Sequence, residues 1–291
     1  MSPAKVLRVP HAGGALGRES FRASASPPSG QVGVTGGRAA DRRASGNTST
    51  KVSKQRQDSQ GHSITVFRGS PPTNAYAWSP FVTKLEARLR LDGLRYTLGG
   101  GSPPSAPKGK IAYVEIHHGD SKEILGDTAL IIRALISNGD LRDVNATLAP
   151  VQWAHDLAVR SMMEDRVYFY GVREKMLLVG WLARRRVTVG LHGPGAGRLT
   201  GEEVLTFQEE AWEAVNALLS KARQSVGGDG LFWILGGSEP TEVDATMYGF
   251  IVGALVCDAA PVTADIVKAY PTVIQYAERI HERYFPDYQR W

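Results

Sequence analysis

Ser79-Pro80-Phe81-Val82-Thr83-Lys84-Leu85-Glu86-Ala87-Arg88-Leu89 follows a short apolar run, Ile64-Thr65-Val66-Phe67-Arg68. A hydroxyl residue, a proline and then an amphipathic stretch mark the first turn of a helix. Ser79 is placed to cap free backbone amides, and Pro80 at the first helical position forfeits no hydrogen bond. Val82, Leu85 and Leu89 then recur on one face, and Gly93 supplies the stop, which predicts a helix over 79–92. Residues 64–68 read as a strand. In a strand-then-helix unit the helix N-terminus stabilises a thiolate or carboxylate through unpaired N–H groups and the helix dipole.

Working outward, residues 94–98 predict a second short strand. Gly99-Gly100-Gly101-Ser102-Pro103-Pro104-Ser105-Ala106-Pro107 forbids a regular element. Residues 110–117 alternate Ile111, Tyr113 and Glu115 against Ala112, Val114 and Ile116, the period of a third strand. His118-Gly119-Asp120 turns it into a fourth, ending near Leu125, and Asp127 opens a helix through Ile136. This order predicts an α/β thioredoxin-like domain over 62–138 with a mixed sheet. Residues 139–149 read as a linker.

From Pro150 onward the period is helical, which predicts an all-α domain over 150–291. One helix spans 151–166. Thr200-Gly201-Glu202-Glu203 is a capping box for a long helix to about Gln224. Thr241-Glu242-Val243-Asp244 opens an apolar helix expected to contain Cys257, and Pro271 starts a last helix ending near Tyr284.

The formal charge of +5 is unevenly spread. Residues 1–60 carry ten Lys or Arg against three acids, a net +7, and the remainder carries −2. The body therefore offers no electrostatic reason to bind nucleic acid. The 1–61 tail, rich in Gly, Ala, Ser and Arg, lacks the apolar content to offset its ordering entropy and reads as a disordered basic extension. Its Arg and Ser content also overlaps with organellar transit peptides. Cys257 is the single cysteine, which excludes an internal disulfide, and its apolar neighbours make it a buried thiol. The longest apolar run, about 247–256, is far short of the ~20 residues that span a bilayer. These features give the expectation of a soluble cytoplasmic protein.

The order of motifs resembles the glutathione transferase superfamily, and within it the failed axon connections and metaxin-like branch. The likeness is carried by Ser79-Pro80-Phe81-Val82-Thr83-Lys84, by Lys110-Ile111-Ala112-Tyr113-Val114-Glu115 with Leu125-Gly126-Asp127-Thr128, by Gly195-Ala196-Gly197-Arg198 running into Glu202, and by Gly236-Gly237-Ser238-Glu239-Pro240 with His281-Glu282-Arg283-Tyr284-Phe285-Pro286-Asp287. It implies a glutathione transferase-like fold that binds glutathione, or a related thiol, as cosubstrate, with weak or no transferase activity. Ser79 falls where the group contacting the glutathione sulfur sits, and its hydroxyl would lower the thiol pKa. Asp127 and Thr128 fall where the γ-glutamyl carboxylate is received. Val82 stands where a redox protein needs a second cysteine, which excludes dithiol chemistry. Ala112 takes the place of the superfamily's cis-proline, and Ile111 precedes it where the backbone would pair with the cysteinyl group. A non-proline cis bond costs ~2.5–4 kcal/mol, so a trans Ala112 peptide is expected. Tyr76 is the sole candidate for a tyrosine-type alternative. The metaxin-like likeness also implies a rival, a non-enzymatic adaptor or scaffold associated with mitochondria. A homodimer or a protein partner is compatible with either.

Other signals have plainer readings. Gly193-Pro194-Gly195-Ala196-Gly197-Arg198 lacks the contiguous Gly-Lys-Ser/Thr of a phosphate loop and reads as an inter-helix connection. His117 and His118, adjacent on a strand, point to opposite faces and cannot form a metal pair, so no metal is expected. Arg184, Arg185 and Arg186 read as a solvated helix face or end. Trp153, Trp181, Trp212 and Trp233 read as core anchors.

Overall fold

The computed structural model describes residues 62–69, 73–175, 196–226, 228 and 230–291. The basic tail, Trp181, the arginines 184–186 and the glycine-rich 193–195 lie outside the described residues.

Four strands, β1 (His62–Phe67), β2 (Thr97–Gly99), β3 (Tyr113–His118) and β4 (Ser121–Gly126), form one sheet in the order β2-β1-β3-β4. β2 is parallel to β1, and the other pairs are antiparallel. Helices α1 (Pro80–Leu91) and α2 (Thr128–Ser137) are the helices of this part of the fold. The period-2 pattern of β3 does what it predicts: Val114 and Ile116 are fully buried in one core with Val66, Val82, Leu85, Leu89, Ile131 and Leu135. This is the expected thioredoxin-like arrangement.

The second part is helical: α3 (Pro150–Met162), α4 (Tyr168–Lys175), α5 (Gly201–Val226), α6 (Glu242–Leu255), α7 (Pro261–Lys268) and α8 (Pro271–Tyr284). A π-helical turn, Met163–Val167, joins α3 to α4, so the helix expected over 151–166 continues past its reading. The capping box before α5 closes from both sides, with Thr200 N–H donating to Glu203 (2.6 Å) and Glu203 N–H to Thr200 Oγ1 (3.2 Å). At α6 the hub is Asp244, fully buried, which accepts from Thr241 N–H, Thr241 Oγ1, Ile234 N–H and the Tyr276 hydroxyl at 2.8–2.9 Å.

Two expectations are corrected. Cys257 is buried, but it lies beyond α6, which ends at Leu255, in a small cluster with Ala259 and Ala260. Trp212 and Trp233 are core residues, whereas Trp153 is 51% exposed because α3 buries only Asp156 of its own residues.

α1 and α6 bind the two parts together. A Cβ added to Gly249 would lie 2.5 Å from Pro80 O and 2.7 Å from Lys84 N, so glycine there permits helix-on-helix backbone contact. Gly253, one turn on, faces Pro80 at 3.3 Å. Lys84, Glu86 and Arg88 of α1 are buried, Arg90 is half-buried, and each has a partner. Lys84 Nζ donates to Glu164 (2.6 Å), Arg88 Nε to Glu242 (2.6 Å), and Arg90 Nη2 to Asp287 (2.8 Å). Arg68 Nε lies 2.9 Å from Glu86 Oε1, a fully buried ion pair not aligned as a hydrogen bond. Burial of these ions is costly, and partners at this range offset that cost.

Candidate functional site

Sheet register decides which candidates meet. Phe67, the last residue of β1, pairs with Tyr113, the first of β3, and Tyr113 pairs with Gly126, the last of β4. Ile111–Ala112, which lead into β3, and Asp127–Thr128, which follow β4, therefore lie at the same end of the sheet. β1 leaves the sheet at that end, toward Ser79. Phe67 and Tyr113 stack there with ring centroids 4.5 Å apart.

The connection from β1 to Ser79 is held by Arg68, whose guanidinium donates to Thr73 O and Ala75 O at 2.5 Å each. Ser79 has extended backbone angles (φ −80°, ψ 115°), and its carbonyl accepts from Val82 N–H at 3.1 Å. Its hydroxyl makes no cap hydrogen bond, which corrects the expectation that the side chain caps α1. The main-chain carbonyl closes the turn instead, and the hydroxyl is left half-buried at the helix N-terminus. Trp78, 52% exposed, stands immediately before it. Trp78 was legible only as an aromatic beside a helix cap and was not among the candidates.

Ile111 lies over Gly69: a Cβ there would come 2.1 Å from Ile111 Cδ1, and Gly69 has φ +76°. The Ile111–Ala112 peptide is cis, not trans as expected. Ala112 is buried (2% exposed) in the core that holds Val66 and Val114, and this packing, rather than the preference of an isolated dipeptide, fixes the local backbone.

Asp127 caps α2 from a positive φ of 76°, unusual for a residue with a side chain. Its Oδ1 accepts from Ala129 N–H (3.0 Å) and Leu130 N–H (3.2 Å). The amide that Asp127 does not engage in this first turn is that of Thr128, whose side chain is buried. Sequence reading thus placed both residues at the helix start but not the division of labour between them.

Tyr76 does not join the site. Its hydroxyl is buried 2.5 Å from Tyr248 Oη and 2.7 Å from His281 Nδ1. Burial pushes its pKa well up, so it stays a neutral phenol. His117 Nε2 lies 2.7 Å from Glu115, and among the described residues no cluster of His, Cys, Asp or Glu could hold a metal. Among the described residues, too, no helix is long and apolar enough to cross a membrane.

The fold so built is that of the glutathione transferases: a thioredoxin-like mixed sheet followed by a helical region. Residues 80–179 match the family model for the glutathione S-transferase N-terminal domain. Among solved structures, a glutathione transferase from Phanerochaete chrysosporium superposes with a TM-score of 0.50 at 15% identity, covering 79% of this chain and 98% of its own. FzlA from C. crescentus gives 0.51 at 13% identity, covering 79% and 93%. A maleylacetoacetate isomerase from Anaeromyxobacter dehalogenans, solved with bound dicarboxyethyl glutathione and citrate, gives 0.46 at 18%, covering 79% and 94%.

Proposed function

We propose that the chain is a glutathione transferase family member that binds glutathione or a related thiol at the end of its sheet, with weak or no transferase activity. The observation that carries this reading is the register: Phe67, Tyr113 and Gly126 form one rung, so Ile111–Ala112, Asp127–Thr128 and the chain leading to Ser79 share one edge. In this reading the Ile111–Ala112 backbone pairs with the cysteinyl part of the ligand. The Thr128 amide, at the positive end of α2, receives the γ-glutamyl carboxylate. The Ser79 hydroxyl, free of any capping role, donates to the sulfur and favours the thiolate over the thiol at neutral pH. Bond formation then needs an electrophile held on the helical side of α1. Titration of the full chain with glutathione by calorimetry tests this. Saturable binding, weakened by Thr128→Pro, which removes that amide at the first helical position where proline is tolerated, is the expected result.

A second reading, the non-enzymatic metaxin-like adaptor, is favoured by one observation. Asp127 Oδ1 already engages two of the amides that would otherwise attract an anionic ligand. A flat calorimetric titration would support it. Mitochondrial association of the full chain would then be the next measurement.

A further inference from the structure

Residues 73–79, which deliver Ser79 to α1, contain no regular element. α1 fixes Ser79 from one side, through the Val82 N–H on its carbonyl. From the other side the chain is held by Tyr76, three residues upstream and so within about 11 Å of Ser79 along the chain. The Tyr76 side chain is buried among five rings: Tyr248 of α6, His281 of α8, and Phe285, Tyr288 and Trp291 beyond α8. Their centroids lie 5.1–6.3 Å from its own, the range of paired aromatic rings. Its hydroxyl meets both Tyr248 Oη and His281 Nδ1, so this burial strands no polar atom of the tyrosine.

Residues 285–291 close this cage and are themselves tied down. Asp287 accepts from Arg90 Nη2 at 2.8 Å, and Arg290 pairs with Glu278 of α8. Gln289 N–H donates to Asn74 O at 2.9 Å. The Tyr288 ring faces the guanidinium of Arg68, 5.6 Å from its centroid, and that same guanidinium holds the carbonyls of Thr73 and Ala75. One segment thus meets the connection at its backbone, at its buried ring and at the arginine that binds its carbonyls.

We propose that Tyr76 and the cage residues Tyr288 and Trp291 are positioning residues for Ser79: the segment beyond α8 clamps the 73–79 connection and so sets where the Ser79 hydroxyl stands. That hydroxyl makes no cap bond, so its place follows the backbone that carries it. The consequence for the ligand sulfur rests on the thiol-binding reading above, whereas the clamp itself does not. A clamp also differs from a plain core contact in what it predicts. Loosening its half-buried rim at Trp291 should free the connection at little cost in stability, and removing only the Tyr76 hydroxyl should cost stability but keep the connection in place.

The full chain, labelled with ¹⁵N, is compared with Trp291→Ala, with Trp291→Phe as its conservative rescue, and with Tyr76→Phe. Without ligand, the backbone order parameters of Ala75–Ser79 should fall from about 0.85 to below about 0.6 in Trp291→Ala, while those of β3 stay high. Trp291→Phe and Tyr76→Phe should keep the parent's values, the latter despite a lower thermal midpoint. Calorimetry from pH 6 to pH 9 then follows glutathione against S-methylglutathione, which has no thiol proton. In the parent, a bound thiol pKa below the free value of about 8.5 makes glutathione affinity rise by up to tenfold per pH unit between the two, with no matching rise for S-methylglutathione. Trp291→Ala should lose that slope and keep its S-methylglutathione affinity. Order parameters that stay high in Trp291→Ala, or that fall in β3 as well, overturn the clamp, and a slope that survives a loosened connection overturns its hold on Ser79. A parent that binds neither ligand removes the thiol reading, while the order parameters still decide the clamp.

Discussion

Gly249 on α6 and Lys84 on α1 approach so closely that a Cβ on the glycine would stand 2.7 Å from the lysine amide nitrogen. The neighbouring atoms are backbone and cannot swing aside, so the glycine is what lets the two helices touch. Gly249→Ala should destabilise the protein by about 2–3 kcal/mol despite alanine's better helix propensity. Gly253→Ala, with 3.3 Å of room, should change the denaturation midpoint much less. Equal effects at the two positions in urea unfolding would place the critical contact elsewhere.

Glu86 gives stability a pH dependence of defined sign. Burial pushes its carboxyl up from 4.5 to about 7, against the attraction of Arg68 and Arg90. Between those values the folded chain keeps a proton that the unfolded chain has lost, so this residue's contribution is greatest at the acid side and declines as pH rises to about 7. Glu86→Gln removes the titration. The parent should lose up to roughly 3 kcal/mol relative to the variant between pH 5 and pH 8. Parallel stability curves for the two proteins would show that Arg68 keeps Glu86 ionised throughout.

Thr241 and Asp244 should differ in weight. Thr241→Ala removes one hydroxyl donor at the start of α6 and should cost ~1 kcal/mol. Asp244→Ala removes the acceptor of four hydrogen bonds and leaves buried donors unpaired, a loss of about 3–5 kcal/mol. Glutathione affinity should be unchanged in the Thr241 variant. The ratio of the two midpoint shifts in guanidinium reports whether Asp244 is the hub.

Ser79→Ala separates a capping serine from a ligand-facing one. The hydroxyl makes no cap bond, so thermal stability should stay within about 0.5 kcal/mol of the parent. Ground-state affinity for glutathione should change by less than about threefold, while any conjugation rate with a chromogenic electrophile falls, because the hydrogen bond acts on the thiolate. A lowered midpoint with an unchanged rate would assign Ser79 to the helix instead.

The sheet and its helices were legible because their signals are local. Alternation marks β3, a hydroxyl and a proline mark α1, and Asp127 marks α2. The short helices α4 and α7 were not foreseen, since eight residues hold barely two turns of apolar period. Trp153 had the look of a core anchor because a helical pattern shows periodicity, not whether a neighbouring element covers that face. The roles of Gly249 and Gly253 depend on a backbone that comes from more than 150 residues earlier in the chain. At the site, residue identities were readable, but the partition of α2's amides between Asp127 and Thr128 needed a backbone at positive φ that no motif announces.

The alternating charges of α1 carry a consequence for modularity. Lys84, Arg88 and Arg90 reach Glu164, Glu242 and Asp287, while Glu86 meets Arg68, so one short helix is tied to four separate stretches of chain. Turning or sliding α1 to any other register would leave at least one of these ions buried without a counter-ion. The helix therefore acts as a key cut for one lock. A chimera that swaps either half for that of a distant relative must carry the matching partners with it, and for this chain the sheet and the helical region are inherited together or not at all.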